Sequence, residues 1–128
     1  MSIAVMLPVY LNQLSGGRTL NCCGLMHHDA EQYENGELFA RGRNEALARQ
    51  RSFREGITEF SASLLDSRIE GNSALLHVQY AWTAADGTRH CQPGIHLQRW
   101  EGRMIRREDF WVGEQYEARR SQYFPDPA

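Results

Sequence analysis

Apolar and polar residues alternate along the last third of the chain, from Ser73 to Val112. Such alternation is typical of β-strands with one packed face and one different face. Two turn signals, Asp86-Gly87 and Glu101-Gly102, divide the stretch into three runs. The pattern therefore predicts three antiparallel strands joined by two tight turns. The apolar positions predicted to share a face are Leu76, Val78, Tyr80 and Trp82 on the first strand, and Met104, Phe110 and Val112 on the last.

Helical spacing appears before this sheet. Val9, Leu11 and Leu14 share one face of a first helix, with Val5 and Leu7 before them. Pro8 is tolerated in a first turn, so the helix is predicted to start near Leu7 or to bend there. Further helices are predicted over about Thr19 to Met26 and over Asn44 to Glu55, which ends at Gly56.

The remaining segments have weaker patterns. Asp29 to Asn35 is too polar for a core strand and is predicted as a short edge strand, followed by a turn at Asn35-Gly36. Another strand begins at about Thr58. The charged tail from Glu117 ends in Pro125-Asp126-Pro127, which predicts a frayed end.

Helices that precede a run of strands indicate an α+β domain with an antiparallel sheet. We expect one domain over residues 1–128, with three N-terminal helices across the concave face of a curved, cone-shaped sheet. A cone of this size leaves a pocket between the helices and the sheet.

Composition excludes several classes of function. The 128 residues carry a formal net charge of −2, so no global field favours nucleic acid or an acidic membrane surface. No apolar run is long enough to cross a bilayer, and the N-terminus lacks the basic region of a signal peptide. Three cysteines, two of them adjacent, do not form a disulfide framework. We therefore expect a cytoplasmic protein.

Three segments resemble the nuclear transport factor 2-like superfamily: Leu25 to Gly36, Arg41 to Leu47 and Gln98 to Trp111. This superfamily of cystatin-like fold includes ketosteroid isomerases and SnoaL-like polyketide cyclases. The resemblance covers the chain from about Val9 to Val112 and implies the cone-shaped fold expected above. It does not select a reaction, because this fold hosts many.

The resemblance also implies candidate catalytic residues. Set against the isomerases, Glu34 falls on the general base, while Tyr10 and His96 fall on the two hydrogen-bond donors. Set against the cyclases, His96 and Asp109 fall on a catalytic pair. His96 alternates with Ile95 and Leu97, so it is predicted on the face opposite them. Removing a proton next to a carbonyl needs such a base, and donors at the oxygen where charge gathers.

The implied ligand is a hydrophobic carbonyl or ring compound, with Trp111, Trp100 and Phe53 as flat apolar walls. The implied activity is an acid–base reaction of the isomerase, cyclase or dehydratase type, without a cofactor. The relatives commonly form homodimers through the outer face of the sheet, so a homodimer is expected. The alternative is a non-catalytic domain of the same fold that binds a small molecule or a protein.

Other residues with chemical potential have simpler interpretations. His27-His28-Asp29 offers metal ligands, but adjacent histidines point in different directions and no further ligand follows at a recognisable spacing. No metal site is therefore predicted. The arginines between Arg41 and Arg54 are interleaved with Glu45 and Glu55, which favours a solvated helix face over a nucleic-acid surface.

Overall fold

The helices and strands expected from the pattern are present, with some different bounds. The computed structural model describes residues 3–127, so Met1, Ser2 and Ala128, the ends of the expected domain, lie outside the described residues. The elements are α1 (Ile3–Ser15), α2 (Thr19–Cys23), β1 (Met26–Glu34), β2 (Glu37–Arg41), α3 (Arg43–Glu55), β3 (Ile57–Glu70), β4 (Ser73–Ala84), β5 (Arg89–Glu101), β6 (Met104–Trp111), a 3-10 turn (Gly113–Gln115) and α4 (Tyr116–Tyr123).

The strands form one curved six-stranded sheet in the order β2-β1-β6-β5-β4-β3. The predicted hairpins of β4, β5 and β6 are confirmed as antiparallel neighbours. The sheet is mixed, however, because β1 runs parallel to β6. The pairing of β1 with β6 joins residues far apart in the chain, so no local sequence pattern predicts it. As a result the last strand in the sequence lies in the middle of the sheet.

Helix α1 begins at Ile3, earlier than the predicted start near Leu7, and Pro8 lies inside it. Its buried face contains Ile3, Leu7, Tyr10 and Leu14. Val5 and Val9, which were predicted to share the apolar face, are about half exposed, at 51% and 44%. The face that is buried brings the Tyr10 phenol towards the sheet.

Strand β1 was predicted as an edge strand, and this is wrong, because it lies between β2 and β6. The edge on this side of the sheet is β2, which the sequence pattern did not indicate. The predicted turn at Asn35-Gly36 is confirmed, and both residues have positive φ values of 51° and 87°. Such φ values suit a tight hairpin turn, which reverses the chain between β1 and β2.

The two faces of the sheet have different covers. Helices α1, α2 and α3 pack on the inner face, and Leu76 and Val78 of β4 belong to this core with no exposed surface. Helix α4 covers part of the outer face, where Tyr116 and Tyr123 lie against His77 and Trp111. The predicted apolar stripe on β4 therefore contributes to the core and not to an outer contact surface.

The segment from Tyr116 to Tyr123 is a helix, although the tail was predicted to fray from about Glu117. Its aromatic residues explain the difference, because they cover a row of side chains that runs across β4, β5 and β6: His77, Ile95 and Trp111. Between residues 3 and 127, none of the helices has the length and apolar character needed to traverse a bilayer. The expected homodimer stays a prediction.

Candidate functional site

A cavity of about 400 Å³ lies between the helices and the inner face of the sheet. Most of its exposed surface is apolar, and polar side chains are interspersed in the lining. Such a cavity is the usual location of a small-molecule site. Its chemistry depends on the polar groups at its floor, where β1, β6 and β5 lie side by side.

The floor of the cavity contains a buried carboxylate, Glu108 of β6, which is 3% exposed. In the sheet register, Glu108 pairs with Gln32 of β1 on one side and with Gln98 of β5 on the other. Three adjacent strands therefore place an amide, a carboxylate and a second amide in one row. The pairing of these strands is what places the three side chains next to one another.

Three side chains donate hydrogen bonds to this carboxylate. Gln32 Nε2 lies 2.8 Å from Glu108 Oε1, and Gln98 Nε2 lies 3.1 Å from Oε2. His96 Nε2 lies 2.7 Å from the same Oε2, and both side chains are almost fully buried. An ionised Glu108 requires the proton of His96 to be on Nε2. His96 and Glu108 thus form a buried acid–base pair.

These bonds determine the charge state of Glu108. Burial alone would raise the pKa of this carboxyl, because the charged form loses its hydration. The neighbouring imidazole of His96 and the bonds from the two amides oppose that effect and hold its pKa below the ordinary value. Glu108 is therefore a carboxylate at neutral pH.

Two phenols accompany the carboxylate in the cavity wall, Tyr10 of α1 and Tyr80 of β4. Burial raises the pKa of both, and the negative charge of Glu108 raises it further. Both are therefore neutral O–H groups that can donate. The Tyr80 ring fits because β5 has Gly94 beside it, where a Cβ would approach the ring within 3.2 Å.

The structure brings several predicted site residues to this cavity. Tyr10, Glu34 and Phe53 line it, although Glu34 is exposed and Phe53 is 38% exposed. His96 is held against the floor by its bond to Glu108 and lies edge-on to Tyr10, with ring centroids 6.0 Å apart. Tyr10 and His96 are thus close to one another, whereas Glu34 stands apart from them in the wall.

Three other predicted residues do not line the cavity. Trp100 belongs to the inner core, where its indole N–H donates to Gln98 at 3.1 Å. Asp109 and Trp111 point to the outer face, because they alternate with Glu108 along β6. There Asp109 accepts two bonds from Arg107, and Trp111 packs against Tyr123.

Sequence reasoning missed Glu108, Gln32 and Tyr80 as site residues. For Glu108 a signal was available, because it lies two positions before Phe110, which was assigned to the packed face of the last strand. In a strand, residues two apart share a face, so the inner acid is Glu108 and not Asp109. The missed assignment changes the candidate acid by one position along the chain.

The His27-His28-Asp29 group brings three possible ligand atoms within 4.8 Å of one another. His27 Nδ1, however, lies 2.7 Å from a guanidinium nitrogen of Arg106. A positive charge beside this nitrogen opposes the binding of a cation there. The contact argues for a structural role of His27.

The low pKa of Glu108 predicts an acid-sensitive component of stability. Unfolding returns this carboxyl to an ordinary pKa of about 4.3, so the unfolded chain takes up a proton first as the pH falls. Its stabilising contribution is full above that value and is lost as the pH falls through the lower folded pKa. Urea unfolding at a series of pH values measures this. The Glu108→Gln variant should lack this component, and an identical pH dependence in both proteins would contradict the assignment.

Comparisons with known proteins place this site in a recognised fold. No family model matches the chain, and no curated protein matches its sequence. Solved structures do match: a hypothetical protein of ketosteroid isomerase-like fold from Catenulispora acidiphila, in complex with trimethylamine, has a TM-score of 0.74 at 13% identity and covers 100% of this chain and 99% of its own. An uncharacterised cystatin-fold protein from Novosphingobium aromaticivorans has a TM-score of 0.74 at 16% identity. The match covers 86% of this chain and 97% of that protein's chain.

A third match is a putative SnoaL-like polyketide cyclase from Mesorhizobium loti, with a TM-score of 0.72 at 19% identity. The match covers 86% of this chain and 98% of that protein's chain. At these identities the matches establish the fold. The chain has the α+β fold of ketosteroid isomerase-like, SnoaL-like and nuclear transport factor 2-like proteins, as the sequence resemblance predicted.

Proposed function

We propose that this protein binds a small hydrophobic molecule in the cavity and carries out acid–base chemistry on it, of the isomerase, cyclase or dehydratase type. The observation that carries the proposal is the buried Glu108–His96 pair at the cavity floor, with the phenols of Tyr10 and Tyr80 in the same wall. A base and separate donors in one cavity are what carbonyl chemistry requires.

The proposed step begins with a substrate carbonyl oxygen that accepts hydrogen bonds from Tyr10 and Tyr80. Glu108 then takes a proton from the carbon next to the carbonyl, and the electron pair of the C–H bond moves onto the oxygen as an enolate. The phenols stabilise this charge, which lets a carboxylate of low pKa act as the base. The proton returns to another carbon in an isomerase, or leaves with a hydroxyl group as water in a dehydratase. In a cyclase the enolate carbon attacks a second carbonyl carbon of the substrate, and the alkoxide oxygen that results takes the proton.

His96 has a supporting role in this scheme. Its Nε2–H bond fixes the orientation of Glu108, and its ring is stacked on Phe110 with centroids 4.1 Å apart. A carboxylate that is held on both oxygens keeps one position throughout the reaction. Such preorganisation lowers the cost of reaching the transition state.

The test compares two glutamates that both line the cavity. Steroid-like, polyketide-like and terpenoid carbonyl compounds are first screened by thermal shift, because ligands that bind the native state raise its apparent stability. Compounds that bind are then followed by NMR for turnover. We expect Glu108→Gln to lower kcat by about 10²- to 10⁴-fold, the usual contribution of a general base. Glu34→Gln should keep most activity.

The opposite result, with Glu34→Gln inactive and Glu108→Gln active, would return the role of base to the residue that the sequence resemblance indicated. Circular dichroism of both variants checks that they are folded, so that loss of activity is not loss of structure.

A second candidate is ligand binding without catalysis. It is favoured by the three donors that already occupy the Glu108 carboxylate, since a base whose two oxygens both accept hydrogen bonds is less available to a substrate proton. In that case the compounds that bind are recovered unchanged, and Glu108→Gln alters affinity alone.

A further inference from the structure

Gln32, a residue that lines the cavity, carries a buried acceptor whose identity is fixed. Gln32 is 3% exposed, and its Oε1 has no hydrogen-bond partner within residues 3–127. Its Nε2 donates to Glu108, and a flipped amide would turn oxygen towards the carboxylate, so Oε1 must remain the free atom. A buried acceptor without a partner is costly. A ligand that brings an N–H or O–H donor removes that cost.

The matching amide on the other side of Glu108 differs in this respect. Gln98 also donates through Nε2 to the carboxylate, but its Oε1 accepts the indole N–H of Trp100. It is therefore satisfied at both ends and does not line the cavity. Of the two amides that flank Glu108, Gln32 alone offers an acceptor to a ligand.

The charge at the cavity floor is negative. The described lining residues with formal charge are Glu108 in the floor, and Glu34 and Arg49, which are exposed and opposite in sign. His96 bonds to Glu108 through Nε2 but is not among the residues that line the cavity, so of this pair only the carboxylate meets a ligand.

The charge of Glu108 shifts the pKa values of neighbouring groups in one direction. The field of Glu108 contributes to a raised pKa at Tyr10 and Tyr80, and also at Cys22, where the pKa rises to about 12. Burial is the larger cause in each case, yet the sign shows that a new negative charge in the cavity is disfavoured. A positive charge in the same place is favoured.

Aromatic rings form much of the remaining wall. Phe53 packs edge-on against Phe60 and Trp82, with centroids 5.9 and 5.8 Å apart, and all three rings line the cavity. The quadrupole of an aromatic ring attracts a cation that lies over the ring face. The Arg54 guanidinium already lies over the Phe60 ring, 5.2 Å from its centroid.

We propose that the ligand of this cavity carries a protonated amino group on an apolar frame. The ammonium N–H donates to Gln32 Oε1 within the field of Glu108, and the frame packs against the rings of Phe53, Phe60 and Trp82. The inference deepens the proposed function by naming the class of substrate, and it rests on the same cavity. It does not depend on turnover, because Glu108 acts here through its charge.

The test uses three probes with one phenyl frame and different charge: 2-phenylethylammonium, 2-phenylethanol and 3-phenylpropanoate. Their affinities for the full chain are measured by isothermal titration calorimetry at neutral pH. We expect the ammonium to bind about 10- to 100-fold more tightly than the alcohol, as a charge-assisted hydrogen bond provides. The carboxylate should bind more weakly than the alcohol.

Variants locate the effect. Gln32→Met removes the free acceptor at similar volume and should reduce the preference for the ammonium about tenfold. Gln98→Met removes a donor to the same carboxylate but no free acceptor, so the preference should fall less. The comparison of probes on the unaltered protein stands even if a variant fails to fold.

An alcohol that binds as tightly as the ammonium would overturn the inference, and so would an absence of ammonium binding at millimolar concentration. An unchanged preference in folded Gln32→Met would also contradict it. These failures are distinct from a failure of the proposed reaction: turnover of neutral carbonyl compounds without ammonium preference refutes this inference alone. Ammonium preference without any turnover refutes the reaction alone.

Discussion

His96→Leu is expected to lower the free energy of unfolding by about 3–5 kcal/mol, the usual cost of removing the partner of a buried charge. The substitution leaves the Glu108 charge buried, with its two amide donors but without the imidazole N–H. Urea unfolding at neutral pH measures the change. The cause is the uncompensated charge, so the effect should be largest where Glu108 is ionised and smaller in acid.

The double variant His96→Leu/Glu108→Met separates charge from packing. Replacing both partners by apolar residues of similar volume removes the buried charge, so most of the lost stability should return. A control is the ion pair of Arg68 with Glu70, whose side chains are 43% and 59% exposed. Glu70→Gln should cost at most about 1 kcal/mol. A double variant less stable than His96→Leu would show that packing, and not charge, explains the loss.

Leu76→Ala is expected to lower the free energy of unfolding by about 2–5 kcal/mol, because it removes buried methyl groups and leaves a cavity. Leu76 lies on the inner face of β4 and has no exposed surface. Leu65 of the neighbouring strand β3 provides a matched control, since it is 54% exposed. Leu65→Ala should change stability by no more than about 0.5 kcal/mol. Equal effects of the two substitutions would contradict the assignment of the inner face as the core.

The sequence predicted the hairpins of β4, β5 and β6 well, because their signals are local. Turn residues at Asp86-Gly87 and Glu101-Gly102 and alternating side chains are all contained within Ser73 to Val112. The place of β1 could not be predicted in this way. Its parallel partner is β6, and the pairing of Gln32 with Glu108 links residues separated by most of the chain. Nothing near β1 in the sequence specifies that neighbour.

The candidate site was predicted in part. Tyr10 and His96 were identified through the family resemblance, and they lie close together beside the cavity. The buried acid Glu108 was not identified, because the resemblance indicated Glu34 and Asp109 instead. One is exposed at the cavity wall and the other points away from it. Register decides between Glu108 and Asp109, and a shift of one residue exchanges the two faces.

The C-terminal segment was predicted wrongly for a different reason. The segment from Glu117 is charged and ends in prolines, which predicted fraying, yet α4 packs on the sheet through Tyr116 and Tyr123. Its stability comes from the outer surface it covers, and His77 fixes it with a 2.8 Å hydrogen bond to the Tyr116 hydroxyl. The sequence of this segment does not indicate the contact, because the surface that α4 covers is formed only when the strands have paired.

The central position of β6 has a consequence for synthesis on the ribosome. The hairpin of β1 and β2 is translated before β3, β4 and β5, but its neighbour in the finished sheet, β6, emerges after all of them. Until then both halves of the sheet have unpaired backbone edges, and such edges invite association with other chains. The nascent protein thus depends on the synthesis of β6 to close the sheet and to complete the floor of its cavity.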